Sequence, residues 1–261
     1  MFAAAYPAIH AHLSQYRGAL VKRQDQGEQW WELRACAYWE RFAGPKVMYQ
    51  DITWQPSFCL DTRGTLSNNT VYFLPTGDRW TLAVLNSPIS WWFAWRNAQH
   101  AKDEALRLFT AFMETFPIPP PTDEQRTKAD EIVQRLIDLI LAQNSGRREV
   151  LDWLRIELAV EKPSQKLQDL PALTPDALVT EVKKARGKKK LLTVVELKRL
   201  KEEHTRSIVP LHALAAEVRA LEAQVSDLVN AAYGLTPEEV ALMWKTAPPR
   251  MPGTNRRWSS R

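Results

Sequence analysis

The chain has 261 residues, 45% of them hydrophobic, with 35 Lys and Arg against 30 Asp and Glu for a net charge of +5. That length and apolar content provide real cores for one large domain or two ordinary ones. No apolar run approaches the ~18 residues of a membrane span, and the N-terminus lacks a basic-then-apolar signal, which excludes a spanning or secreted chain and makes the cytoplasm the expected compartment. The two cysteines, Cys36 and Cys59, have no CxxC spacing and read as buried free thiols of a reducing compartment. The basic balance suits a polyanionic partner without specifying one.

In chain order, Ile9, Leu13, Tyr16 and Leu20 share a helical face, which predicts a helix from Tyr6 to about Lys22. A polar loop, Arg23 to Gln29, follows, and Trp30 to Trp39 reads as a short helix or turn. Lys46–Ile52, Gln55–Leu60 and Thr70–Leu74 read as strands, separated by the turn signals Asp61-Thr62-Arg63-Gly64 and Ser67-Asn68-Asn69. Thr81–Leu85 either starts a helix or finishes a strand. Ala105–Thr115 reads as a helix ahead of Phe116-Pro117-Ile118-Pro119-Pro120-Pro121, whose prolines impose extended backbone and mark a boundary. Of the 25 Trp, Tyr and Phe residues, all but Trp153, Tyr233, Trp244 and Trp258 precede that boundary. The expected front core is therefore aromatic: Trp30, Trp31, Tyr49, Phe73, Leu85 and Trp92.

Beyond Pro121 the chain is charged and helical. Thr122-Asp123-Glu124-Gln125 has the pattern of a capped helix start, and Ile132, Leu136, Leu139 and Ile140 continue it at helical spacing. Helices are expected over Thr127–Gln143 and Arg148–Val160, with a loop over Lys162–Pro175. Two more are expected between Val194 and Tyr233, broken near Pro210. Leu211, Leu214, Val218, Leu221, Val225 and Leu228 form a heptad-like seam, expected to close an intramolecular hairpin. The fold class is α+β: a mixed α/β domain over residues 1–121, then an all-α region over 122–261 with a long helical hairpin.

One ordered set of segments carries a family resemblance. Gln29-Trp30-Trp31-Glu32-Leu33-Arg34, Gly44-Pro45-Lys46-Val47-Met48-Tyr49-Gln50-Asp51-Ile52, Val71-Tyr72-Phe73-Leu74-Pro75, Leu82-Ala83-Val84-Leu85-Asn86-Ser87-Pro88-Ile89 with Trp91-Trp92-Phe93, and Phe116-Pro117-Ile118-Pro119-Pro120 follow one another. In this order they resemble the TaqI-like specificity domain at the C-terminal end of Eco57I-type adenine-specific DNA methyltransferases and type IIG restriction–modification enzymes. Tyr233-Gly234-Leu235-Thr236-Pro237-Glu238-Glu239 and Trp244-Lys245-Thr246-Ala247-Pro248-Pro249-Arg250-Met251-Pro252 resemble the C-terminal end of the same enzymes. The resemblance implies a helical Trp91–Trp95, a duplex DNA partner read by projecting loops, and a methyltransferase catalytic domain or subunit that carries S-adenosylmethionine. The chain itself then carries no cofactor and acts as a split subunit or a fragment. The alternative is a protein-interaction subunit that docks onto a methyltransferase or phage-defence partner without binding DNA by itself.

Catalytic motifs point the same way. An amino-methyltransferase of this kind needs an Asn-Pro-Pro-Tyr-like tetrapeptide for the flipped base and a glycine turn for S-adenosylmethionine. Ile118-Pro119-Pro120-Pro121 lacks the polar and aromatic ends, and the 9 glycines include no Gly-x-Gly. Pro175-Asp176 with Glu196-Leu197-Lys198 mimics a metal-dependent nuclease set. Thr174 and Pro175 instead have the pattern of a helix start, and Glu196 sits in a charged helical stretch. No catalytic or metal-ligating residue is assigned.

The DNA-contact candidates follow from what each side chain offers a base edge or a phosphate. Arg pairs with guanine, Asn and Gln with adenine, and Asp accepts from cytosine. In and beside the turns these are Gln50, Asp51, Thr53, Gln55, Arg63, Asn68 and Asn69, with Lys102 in the Asn97–Asp103 loop and Arg107 just after it. Arg34 and Lys46 are the expected phosphate clamps, Arg34 being equally readable as an ion-pair member. Between Glu181 and Arg206 ten Lys or Arg face four acids. Within that segment Lys188, Lys189 and Lys190 are expected either to neutralise phosphates or to stand in a solvated loop.

Overall fold

The computed structural model describes residues 2–187 and 191–253. The front segment holds three short helices, α1 (Phe2–Ala5), α2 (Pro7–Ser14) and α3 (Arg17–Leu20). The expected single helix is thus broken after Ser14, and Trp39–Phe42 forms one 3-10 turn. Next come β1 (Lys46–Gln50), β2 (Ile52–Thr53), β3 (Cys59–Asp61) and β4 (Val71–Leu74). Helices α4 (Arg79–Leu85) and α5 (Pro88–Asn97), strands β5 (Gln99–His100) and β6 (Leu106–Arg107), and α6 (Thr110–Glu114) complete the front.

Two three-stranded antiparallel sheets result. One has the order β3-β1-β4, with Met48 opposite both Cys59 and Phe73; the other has the order β2-β6-β5, with Arg107 opposite both Ile52 and Gln99. The helix expected over Ala105–Thr115 is thereby corrected to a strand and a short helix. Pairing of Leu106 and Arg107 with β2 and β5 outweighs the helical spacing of a short apolar run. Cys59 lies on edge strand β3 and is exposed rather than buried; both thiols are free.

Behind the sheets runs α7 (Asp123–Leu158), 36 residues in one helix where two were expected. Thr122 and Gln125 form its capping box. The Ser145-Gly146 pair does not break it, because Gly146 lies where α7 meets the next long helix; a Cβ there would stand 2.9 Å from Leu211 Cδ2. Then come α8 (Gln165–Gln168), α9 (Pro175–Arg186), α10 (Val194–Glu203), α11 (Val209–Ala232) and α12 (Pro237–Lys245). A π turn over His204–Ile208 joins α10 to α11, so the expected break is a bulge, and Pro210 sits in the first turn of α11 where its missing N–H costs nothing.

The apolar interior has two centres. The first combines Val47, Tyr49, Trp80, Leu85 and Trp91 of the front with Ile132 and Val133 of α7, Val225 and Val229 of α11, and Met243 of α12. The second joins Val150, Leu154 and Leu158 of α7 to Leu167, Leu178, Val182, Leu200 and Leu211. The heptad-like seam of α11 therefore packs within the chain, along α7. The front core also crosses the proline stretch, which is clamped on both sides: Trp80 Nε1 donates to Pro119 O (2.8 Å) and Tyr233 Oη to Pro117 O (2.7 Å). Tyr49 and Leu85 are buried in this core, and Trp92 packs half-buried against it. Phe73 packs instead on Phe42 and Tyr38. Trp30 and Trp31 lie outside the core, against Phe2 and His10.

Candidate nucleic-acid interface

Asp51 is the crossover between the two sheets. Its amide donates to Thr70 O (3.1 Å) and its carbonyl accepts from Leu108 N (2.8 Å), so β1 hands the chain directly to β2. Its carboxylate accepts from Arg107 Nη2 at 2.6 Å and Nε at 3.4 Å. The Arg107 guanidinium also lies 4.2 Å from the Phe109 ring centre. Asp51 and Arg107 thus satisfy each other and fix the corner. Thr53 is buried, and its hydroxyl donates to Gln55 O at 2.6 Å to close a turn.

Lys46, expected to clamp a phosphate, is fully buried. Its ammonium donates to Asp61 Oδ2 (2.5 Å) and Phe42 O (2.8 Å). Burial pushes the Asp61 carboxyl up. Against that, the Lys46 ammonium, the Thr65 hydroxyl and the amides of Thr65 and Arg63 hold it well below the usual carboxylate range. This pair holds the 61–65 turn, in which Gly64 takes a positive φ of 72° and Arg63 faces solvent.

The remaining front candidates fall at opposite ends of β1. Arg63 stands beside the Lys46 end. At the Gln50 end, exposed Gln50, Asn68 and Asn69 converge, since Gln50 pairs with Val71 and the Asn68–Thr70 turn leads into β4. Asn68 Oδ1 accepts from Thr70 N (3.1 Å) and Thr70 Oγ1 (2.6 Å), so its amide group alone is left for a ligand. Gln55 is half-buried after β2. Arg34 lies in the front segment, its side chain 78% exposed and 3.9 Å from Asp25. Lys188, Lys189 and Lys190 lie outside the described residues.

The second sheet extends this end into a projecting ribbon. Between β5 and β6 the chain turns through exposed Lys102, Asp103 and Glu104, and Asp103 (φ 58°) and Glu104 (φ 62°) are both left-handed non-glycine residues. Such backbone is strained and persists only where neighbours hold it. Trp54 holds this turn: its indole N–H donates to Asp103 O at 3.1 Å while the ring stays 44% exposed. Residue-level reading missed Trp54; its period-two spacing from exposed Ile52 is the signal that places both on the open face.

The nuclease-like set dissolves into helix ends. Thr174 Oγ1 accepts from Ala177 N at 3.2 Å to cap α9. Glu196 accepts from Thr193 N (2.7 Å) in the capping box of α10, and from Arg186 Nη1 (2.8 Å). Among the described residues no group of three or more His, Cys, Asp and Glu is placed to hold a metal ion, and no helix is long and apolar enough to cross a membrane.

Two small sheets that present amides and a turn bearing Lys102, Asp103 and Glu104 at one end, carried on a helical frame, define a mixed α+β scaffold. In comparison with known families, residues 10–118 match the TaqI-like C-terminal specificity domain. That family goes with target recognition in DNA methylation and restriction–modification systems. Residues 122–229 match a domain of unknown function (DUF8810). No curated protein and no solved structure matches the chain.

Proposed function

We propose that the chain is the sequence-recognition module of an adenine-specific DNA methyltransferase or type IIG restriction–modification system. It binds duplex DNA and positions it for a catalytic half outside this chain, and S-adenosylmethionine belongs to that half. The reading rests on one observation: within the specificity-domain match, Gln50, Asn69 and Lys102 stand exposed on the end from which the β5–β6 ribbon projects. A two-stranded ribbon fits the major groove, where amides read adenine and a cation reads guanine, each good pair contributing about 1–3 kcal/mol of discrimination.

Selection from a randomised duplex pool tests this. The parent chain should enrich a defined word, and Gln50→Ala, Asn69→Ala or Lys102→Ala should change it at one or two positions. A pool that returns no enriched word refutes the reading. With labelled S-adenosylmethionine and the same pool, the chain alone should transfer no methyl groups; incorporation that survives repurification would overturn the division of labour.

A further inference from the structure

The two apolar centres sit on one helix. Ile132 of α7 packs in the front core and Leu154, 22 residues further along, packs in the rear core. At 1.5 Å per residue they are about 33 Å apart along the helix axis. Helix α11 runs beside α7 over this span: Leu211 meets Gly146, and Arg135 pairs with Glu217 at 2.7 Å. The rear helices α8–α10 are therefore held at a fixed distance from the sheets. The span from Ile132 to Leu154 along α7 is close to one turn of B-form DNA, about 34 Å.

The rear end is also where exposed cations gather. Lys183 has no ion pair among the described residues. Lys198 and Lys201 have side chains 81% and 61% exposed, and their acids, Glu202 and Asp176, lie at 4.0 and 3.8 Å. Ion pairs so exposed contribute about 0–1 kcal/mol and yield readily to a phosphate. Arg186 differs, being sequestered against Glu196 with its side chain 11% exposed. We propose that α7 and α11 act as a ruler: Lys183, Lys198 and Lys201 of the rear helices grip duplex phosphates one helical turn from the bases that the front sheets read. The contact is indifferent to sequence and extends the footprint by about ten base pairs on one side.

This inference rests on the front sheets binding DNA, and the test separates the two. A word enriched from the randomised pool is placed in duplexes whose flanks are cut back by one turn, on either side in turn, and binding of the full chain is measured across salt concentrations. Trimming one particular flank should weaken the parent about tenfold or more and lower its salt slope by about 2 to 3, one for each lost phosphate contact. The Lys183→Ala, Lys198→Ala, Lys201→Ala triple variant should select the same word and be indifferent to that flank. If the word is selected but neither trimmed flank matters, or the triple variant responds as the parent does, the ruler is wrong and the reading stands. If no word is selected, both fall.

Discussion

Two pairs of tryptophans in this chain met opposite fates. Trp30 and Trp31 lie in a front segment where none of the described residues before Lys46 is buried. Their rings pack on one another, edge to face at 5.3 Å, with Phe2 stacked on Trp31 at 5.3 Å and the Arg17 guanidinium 5.4 Å from Trp30. Trp80 and Trp91 are buried in the first core, and each indole N–H donates to a proline carbonyl, Pro119 at 2.8 Å and Pro249 at 2.9 Å. Rings can shield each other, but full burial needs a second layer, and α7, α11 and α12 supply it only behind α4 and α5. A density of aromatic residues therefore does not by itself mark a core.

The largest effect should come from the buried pair. Trp80→Ala should lower the unfolding free energy by about 3–5 kcal/mol, through lost area, an unfilled cavity and an orphaned Pro119 carbonyl. Because the core crosses the proline stretch, the loss should appear in one cooperative denaturant transition seen by both far-ultraviolet dichroism and tryptophan fluorescence. Two separate transitions would break the comparison, showing that the front folds without the rear.

The seam between the unburied segment and the sheets comes next. Lys46 Nζ ties Phe42 O to Asp61, so Asp61→Ala leaves a buried ammonium without its counterion and should cost about 3 kcal/mol. The pH dependence has a definite sign. The Asp61 carboxyl titrates below its unfolded value, so its contribution is complete above about pH 4 and is lost as the pH falls through the depressed folded value. Asp61→Ala should therefore flatten the stability curve below about pH 4. An acid limb identical to the parent's would show that the pair carries no such linkage.

Local signals decided what could be read from the residues. The capping box at Thr122, the turn at Gly64 and the strand at Lys46 are written within a few neighbours and appear where expected. Most of the departures concern long-range partners. Lys46 looked like a surface clamp because Asp61 is 15 residues away across a sheet, and Asp51 and Arg107, 56 residues apart, looked like two free contacts until they met. The same holds for Gly146, a helix breaker by composition that the approach of Leu211 retains inside α7. The site divides likewise: Gln50, Asn68 and Asn69 were legible as turn polars, whereas their separation from Arg63 and their union with the Trp54-braced ribbon depend on strand order.

The smallest predicted effect sharpens the opening comparison most. Trp31 is half-buried, and its contacts are mainly with other rings, so Trp31→Ala should cost about 0.5–1.5 kcal/mol, the worth of an aromatic pair rather than of a core residue. The front segment should loosen while the sheets stay intact. Amide exchange should then quicken across residues 2–42 and remain slow in β1, whose Val47 and Tyr49 are buried in the first core, and in its partner β4. A loss as large as that of Trp80→Ala would mean that the ring cluster supports the sheets after all. In that event the front segment, and not only the helices behind, would be part of what holds the reading edge in place.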